Sequence, residues 1–332
     1  MPGKDIVVIG TSAGGINALQ TLLAALPAEF PAAMFIVLHS SADAPGVLAP
    51  LLDAAGPLPV TYARHGDSIE PRRVYVAPPD HHLIIVPGKV ELSRGPRENR
   101  FRPAIDPLFR SAAQTYGPRV IGVILTGGLD DGTNGLLTIK QLGGTAVVQD
   151  PSEALAPSMP LSALRHVKVD YTVRLAELAP LLVRLAATPT DAVEGGFAVP
   201  EKVKIEVNIA RENNASEAGV WSLGEPSKYA CPECHGVLLQ IDGSAPLRFR
   251  CHTGHAYTME SLLSEMDEVI EDSLWNAIRA LEERAMLIQH ASQVHEKGDR
   301  LLESAEETQR RADLVRQAVL DTRAADSNGT SG

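Results

Sequence analysis

Residues 5–15 read DIVVIGTSAGG. An apolar, β-branched run ends in a cluster of small residues around Ser12, so a buried strand gives way to a tight turn and then to a helix-like stretch, INALQTLLAALP. Gly10-Thr11-Ser12-Ala13-Gly14 fits G-x-S-x-G, a strand-to-helix turn whose small flanks lift a serine hydroxyl to the carboxyl edge of a sheet. A Gly-rich turn of this kind is equally a phosphate cradle at a helix N-terminus, or a plain helix cap. From this stretch alone the three readings stand level. A dinucleotide fingerprint needs glycine where Ser12 stands, so close approach of a pyrophosphate would be obstructed.

Working outward, the same kind of strand recurs at MFIVLH (34–39), RVIGVILTG (119–127) and TAVVQD (145–150), with helix-like LAPLLDAAG and GLLTIKQLGG between them. Apolar strands without polar alternation are buried on both faces, which predicts a three-layer α/β fold: a mostly parallel sheet with helices on both sides. VYVAPPDHHLIIVPGKVELS (74–93) places two extended runs around Pro87-Gly88 and predicts a hairpin near a sheet edge. The expected organisation is a catalytic domain over 1–187 and an extended linker over 188–221, with one short strand at KIEVNI. A compact metal unit over 222–257 and a helical hairpin or coiled coil over 258–326, divided at Gly298, follow. A disordered tail closes the chain at 327–332.

Composition bounds the function. The 332 residues are 44% hydrophobic and carry a formal charge of −11, and residues 258–325 hold 15 Asp/Glu against 8 Lys/Arg. That excludes bulk attraction to nucleic acid, which needs a basic surface. No run approaches the roughly 18 apolar residues of a membrane span, and MPGKD lacks the features of a signal peptide. No membrane insertion and a cytoplasmic location are the expectation.

A serine nucleophile requires a base, and the base an orienter. In an open α/β sheet both come from the carboxyl ends of strands. His39 follows MFIVL directly, and Asp130 and Asp131 lie in LTGGLDDG (125–132), again at a strand end. A histidine after a strand is commonly a packing residue, and paired aspartates beside glycines are commonly a turn. Three strand ends delivering Ser, His and Asp to one rim are harder to dismiss.

With these motifs in view, residues 5–187 resemble the catalytic domain of the CheB-type protein-glutamate methylesterases of bacterial chemotaxis. IGTSAGG, VLHSS and LTGGLDDGTNG resemble the family's nucleophile turn, histidine strand end and aspartate loop; FRPAIDPLFRSAA (101–113) and DPSEALAPSMPLSALRHV (150–167) extend the likeness. The resemblance implies a serine ester hydrolase that removes methyl groups from glutamyl esters of methyl-accepting chemoreceptors or related signalling proteins and deamidates certain glutamines. It assigns Ser12 as nucleophile, His39 as base and Asp131 as orienter. It also puts the backbone N–H of Gly128 at the oxyanion and Met159 and Pro160 in the wall of the substrate site, with no cofactor for catalysis. Two departures are Gly128, where the family commonly has methionine, and Ala13, where it often has threonine. Typical members carry a receiver domain ahead of the esterase, whereas this sequence starts at the catalytic strand. Regulation is then expected from a separate receiver or kinase protein, from the C-terminal unit, or not at all. The competing readings are a catalytically weak CheB-like scaffold, binding partners through its metal unit and acidic helices, and a nucleotide-binding α/β regulator.

Cys231-Pro-Glu-Cys234, sixteen residues, then Cys251-His-Thr-Gly-His255 gives two closely spaced donor pairs. Three thiolates and an imidazole suit a tetrahedral Zn2+, and four protein ligands leave no open position, so a structural role is expected. His235 and His252 are the alternative fourth ligands. Spacing favours His255, because adjacent Cys251 and His252 rarely reach one metal together. Three reduced cysteines without metal are the bland alternative.

Overall fold

A computed structural model describes residues 3–190, 197–212, 214–243, 246–293 and 298–329. The stretch that opens the chain is the spine of the fold. IVVIGT forms β1 (Ile6–Thr11), buried at every position, and runs into α1 (Gly15–Ala25). β2 (Ala33–Leu38), α2 (Leu48–Asp53), β3 (Val60–Tyr62) and β4 (Val74–Val76) follow. Next come β5 (His82–Val86), β6 (Lys89–Ser93), α3 (Ile105–Tyr116), β7 (Val120–Ile124) and α4 (Thr133–Gln141). β8 (Thr145–Gln149), α5 (Ser158–His166), β9 (Tyr171–Val173) and α6 (Leu175–Ala186) complete the α/β part. The seven-stranded sheet has the order β3-β4-β2-β1-β7-β8-β9 with every pair parallel.

Successive side chains of a strand point to opposite faces. Val7 and Ile9 pack with Leu19, Leu22, Leu178 and Leu182 of α1 and α6, while Ile6 and Val8 pack with Ile105, Phe109 and Leu136 of α3 and α4. Two apolar layers therefore sandwich the sheet, which is why its strands lack polar alternation. β1 lies centrally, so its carboxyl end opens between β2 and β7.

Residues 74–93 divide differently from the expectation. VYV becomes β4, a strand inside the main sheet, whereas β5 and β6 form a separate antiparallel pair turning at Pro87-Gly88. The pair is fastened to α3, with Ile85 N–H donating to Ser111 Oγ (3.0 Å) and Thr115 Oγ1 donating to Ile85 O (3.0 Å).

The expected linker is corrected more strongly. KIEVNI is not a strand: it lies in α7 (Glu201–Glu212), and Val203, Ile205, Val207 and Ile209 are all buried. One side of α7 meets α3, β5 and β6, and Ile205 and Ile209 pack with Val220, Leu223 and Leu239 on the other. A helix enclosed on most of its circumference need not show a 3.6-residue stripe, and the alternation K-V-K-I-E-V-N-I imitated a strand. Residues 191–196 of the linker lie outside the described residues. β10 (Gly224–Ala230), β11 (Val237–Ile241), β12 (Arg248–Cys251) and β13 (Ala256–Thr258) make a four-stranded antiparallel sheet. Residues 1–262 form one compact unit, so the α/β part, α7 and the cysteine-bearing sheet are one body rather than beads on a linker.

The second unit, residues 263–332, holds most of α8 (Met259–Ser292) and all of α9 (Gly298–Gly329). Ile278 and Ala285 of α8 and Ala305, Ala312 and Val319 of α9 are buried. Arg284 donates to Thr308 Oγ1 (2.5 Å) and Arg316 pairs with Glu282. These cross-helix contacts make a helical hairpin. The tail expected from 327 is instead helical through Gly329, and residues 330–332 lie outside the described residues. No helix among the described residues is long and apolar enough to cross a membrane.

Candidate active site and metal centre

The carboxyl ends of β2, β1 and β7 are stitched together by backbone. His39 N–H donates to Thr11 O (3.2 Å) and Ser12 N–H donates to Thr126 O (3.0 Å). Ser12 is half-buried at the turn into α1. Two glycines make the turn fit. Gly14 has φ +79°, where a side chain would be strained. A Cβ on Gly10 would lie 2.3 Å from Ile105 Cγ2, so Gly10 lets the start of α3 close against β1.

That approach matters because Ile105 N–H points at the acid. Asp131, 2% exposed, accepts at Oδ2 from His39 Nε2 (2.7 Å) and Ile105 N–H (2.7 Å). At Oδ1 it accepts from Asn99 Nδ2 (2.8 Å), Gly132 N–H (2.9 Å) and Asp106 N–H (3.3 Å). Burial alone would push this carboxyl up; the hydrogen bonds from His39, Ile105 and Asn99 outweigh it and hold the group below the ordinary carboxylate range. Asp131 is therefore an anion. An anionic partner accepts only, so Nε2 of His39 carries the proton and Nδ1 has the lone pair. Nδ1 is buried and has no hydrogen-bond partner among the described residues. The imidazole stacks on Phe101, centroids 3.7 Å apart and planes 8° from parallel.

Ser12 and His39 share an open cleft of about 560 Å³ with the first turn of α1, and a second lobe lined by Ser40, Asp80, Arg97, Phe101 and Arg102. The fold thus brings all three expected side chains to one rim. Ser12 is not hydrogen-bonded to the ring among the described residues; such contacts commonly tighten only once substrate is bound. The facing loop is strained, with Leu129 at φ +59°, an unusual conformation for a bulky residue. Gly127 has no room for a Cβ, which would meet Met159 Sδ at 2.1 Å and Ser12 Cβ at 3.1 Å, whereas one on Gly128 would meet open space. Among the described residues no protein acceptor takes the Gly128 N–H.

Met159 and Pro160 stand behind the loop at Gly127, close to Ser12. Both are buried and neither lines the cleft lobes beside Ser12. Met159 packs against Gly127 and donates its N–H to Gly127 O (3.0 Å), so it backs that loop. Two further carboxyls crowd the acid. Asp106 is pushed up to about 7 by burial and the neighbouring Asp131 charge. Asp130 is pushed up to about 7, chiefly by burial, although Thr258 Oγ1 donates to its Oδ1 at 2.7 Å. Sequence reasoning singled out neither Asn99 nor Phe101; both lie in RENRFRPAID, where nothing in the local pattern predicts convergence on Asp131.

The donor atoms of Cys231, Cys234, Cys251 and His255 all lie within 4.8 Å of one another. His255 Nδ1 is 3.6 Å from Sγ of Cys231 and of Cys251, and Cys234 Sγ is 3.6 Å from Cys251 Sγ. Around a tetrahedral zinc with bonds of about 2.3 Å to sulfur, ligand atoms sit about 3.7 Å apart, so the donor set and its spacing fit such an ion. His235 and His252 fall outside the cluster. Surrounding groups that the spacing did not reveal are Glu233, 3.3 Å from His255 Nε2, and the Thr253 hydroxyl, 2.9 Å from Cys251 Sγ. A carboxylate behind a ligating imidazole fixes its ring.

The CheB methylesterase family matches residues 7–182, more than half the chain. A Leptospira interrogans protein, provisionally named protein-glutamate methylesterase/protein-glutamine glutaminase, is 43% identical over 182 residues, 54% of this chain and 94% of its own. A Methanosarcina mazei protein-glutamate methylesterase/protein-glutamine glutaminase is 38% identical over 190 residues, 55% of this chain and 52% of its own. Among solved structures, the Thermotoga maritima CheB methylesterase catalytic domain superposes with a TM-score of 0.53 at 35% identity, covering 56% of this chain and all of its own. The chain belongs to the CheB methylesterase family.

Proposed function

We propose that the protein is a protein-glutamate methylesterase that also deamidates glutamines, acting on methyl-accepting chemoreceptors or related signalling proteins through Ser12, His39 and Asp131. The observation that carries this reading is the buried Asp131–His39 pair, whose second ring nitrogen is unpartnered in the cleft that Ser12 lines. His39 Nδ1 accepts the Ser12 proton as Oγ attacks the ester carbonyl. The tetrahedral oxyanion is received by the Gly128 N–H, and the ring returns its proton to the departing methanol. Water, deprotonated at the same nitrogen, then frees the glutamate side chain and restores Ser12. With a glutamine amide the leaving group is ammonia. Asp131 holds the imidazole in the needed tautomer and favours its cation.

Cys231, Cys234, Cys251 and His255 would hold a structural Zn2+. Bound there, the ion supplies a cross-link and no chemistry at the ester. Three free cysteines that gather in one donor cluster support a reducing, cytoplasmic setting. Methanol release from methylated receptor tests the reading: wild type releases it and Ser12→Ala does not. No release from any methylated receptor of the same cell would leave only a scaffold.

A further inference from the structure

β13 follows the ligand His255 directly, and it reaches the acid–base pair. Ala256 donates its N–H to Arg97 O (3.2 Å) and accepts at its O from Asn99 N–H (2.8 Å). Thr258 N–H donates to Asn99 Oδ1 (3.1 Å), and Ser261 Oγ donates to the same oxygen (3.2 Å). With its oxygen so occupied, the Asn99 amide has a fixed orientation, and Nδ2 is left to donate to Asp131 Oδ1 (2.8 Å) and Asp106 Oδ2 (3.3 Å). Asn99 is 4% exposed and sits at φ +49°, a conformation that asparagine tolerates better than most residues.

A buried ion network clamps the same segment from the other side. Glu98 pairs with Arg110 of α3 and with Arg250 of β12 (3.0 Å), and Arg250 also meets Glu206 of α7 (3.0 Å). The second arm of Arg250 donates to Gly254 O (2.7 Å), inside the turn between Cys251 and His255. The turn that carries two metal ligands is therefore tied to residues 97–99 by two routes, through Arg250 to Glu98 and through Ala256 of β13 to Arg97 and Asn99. β13 lies outside residues 7–182, which the family match covers.

We propose that Asn99 is a positioning residue for the esterase and that the metal-bound Cys3His turn, through β13, holds it against Asp131. The inference rests on the reading of Ser12, His39 and Asp131 given above. The ion would contribute by fixing the start of β13: without it the Cys251–His255 turn loosens, Asn99 Oδ1 loses the alignment of its donors Thr258 N–H and Ser261 Oγ, and Asp131 gains freedom to swing from His39.

The test uses the full chain loaded with zinc and a glutamate γ-methyl ester peptide as substrate. Asn99→Gly keeps the backbone conformation and deletes the amide; Asn99→Asp is isosteric and replaces the donor with an acceptor facing Asp131. One hydrogen bond to a charged group is worth about tenfold or more in rate. Asn99→Gly is expected to lower kcat by about that factor with KM unchanged, and Asn99→Asp to lower it further. Stripping zinc with a chelator should lower wild-type kcat in the same way, and the two losses should not multiply in stripped Asn99→Gly, as coupled sites require. Unchanged kcat in Asn99→Asp, a loss confined to KM, or fully multiplicative losses would overturn the proposal. Hydrogen exchange gives a readout independent of turnover. Zinc removal should raise exchange at residues 97–105 and 128–133, and unaltered exchange there overturns the coupling even if the variants fail to fold or wild type shows no esterase activity. Wild-type inactivity alone would sink the proposed function and not this contact.

Discussion

At the sheet rim, Ser12, His39 and Asp131 come from distant parts of the chain, and each is fixed by backbone: strand ends tied by N–H donors, and an aspartate gripped by Ile105 and Gly132. At the cysteine cluster, four donors come from one short stretch and converge with thiol sulfurs 3.6 Å apart. The rim is held by a hydrophobic core of two wholly buried layers, so its geometry exists before any ligand arrives. The cluster has a small apolar surround, with Leu238, Phe249, Tyr257 and Leu262, and under the proposed zinc site an ion would offset the crowding of its thiolates. Convergence at long range demands a large fold; convergence at short range demands a cross-link.

Substitutions can break or sharpen that contrast. Ser12→Ala should abolish chemistry, lowering turnover by about 10⁴-fold or more, and leave the melting temperature unchanged. Asp131→Asn should cost about 10⁴-fold by reversing the tautomer preference of His39, again with the fold intact, read from kcat and circular dichroism. Cys251→Ser should do the opposite: zinc content falls to zero and stability drops by about 4 kcal/mol in denaturant titrations.

Between the two regions stands the ion network. Glu206→Gln leaves Arg248 and Arg250 buried with less compensation and should cost about 3 kcal/mol at pH 7. Burial would raise the Glu206 carboxyl, but Arg248, Arg110 and Arg250 hold it below its ordinary 4.5. Its contribution is therefore complete above pH 4.5 and disappears as pH falls through the lowered folded value. The variant's stability should be correspondingly less sensitive to acid. The smallest effect is expected from Asp130→Asn. The wild-type carboxyl, raised from an ordinary 3.8 to about 7 in the fold, costs stability progressively as pH rises from 3.8 to about 7, and the cost is complete above that. The neutral variant should melt higher at pH 8, by a smaller margin at pH 5, and match wild type only below pH 3.8 in paired thermal scans.

Much of the rim was legible because its signals are local: an apolar run ending in a chemically useful side chain, three times over, with glycine before Ser12 and before Asp131. The cluster was legible from spacing. What the sequence hid was the join. Asn99, Arg250, Glu206 and Thr258 carry polar side chains in segments that read as loop, linker or zinc unit, and each is buried only because partners from other segments neutralise it. A buried arginine is unrecognisable without its acid. KIEVNI misled for a related reason, since enclosure on several sides removed the periodicity by which a helix is recognised.

The face-to-face contact of His39 with Phe101 has a kinetic meaning. A ring clamped on its flat side and pinned at Nε2 cannot swing between an acid post and a base post, so one atom must serve both half-reactions. The alcohol formed first must vacate that spot before water can take it. Turnover of this kind is ping-pong, and a slowly diffusing alcohol, such as the leaving group of a bulky ester, should stall the enzyme at the acylated stage after one rapid burst.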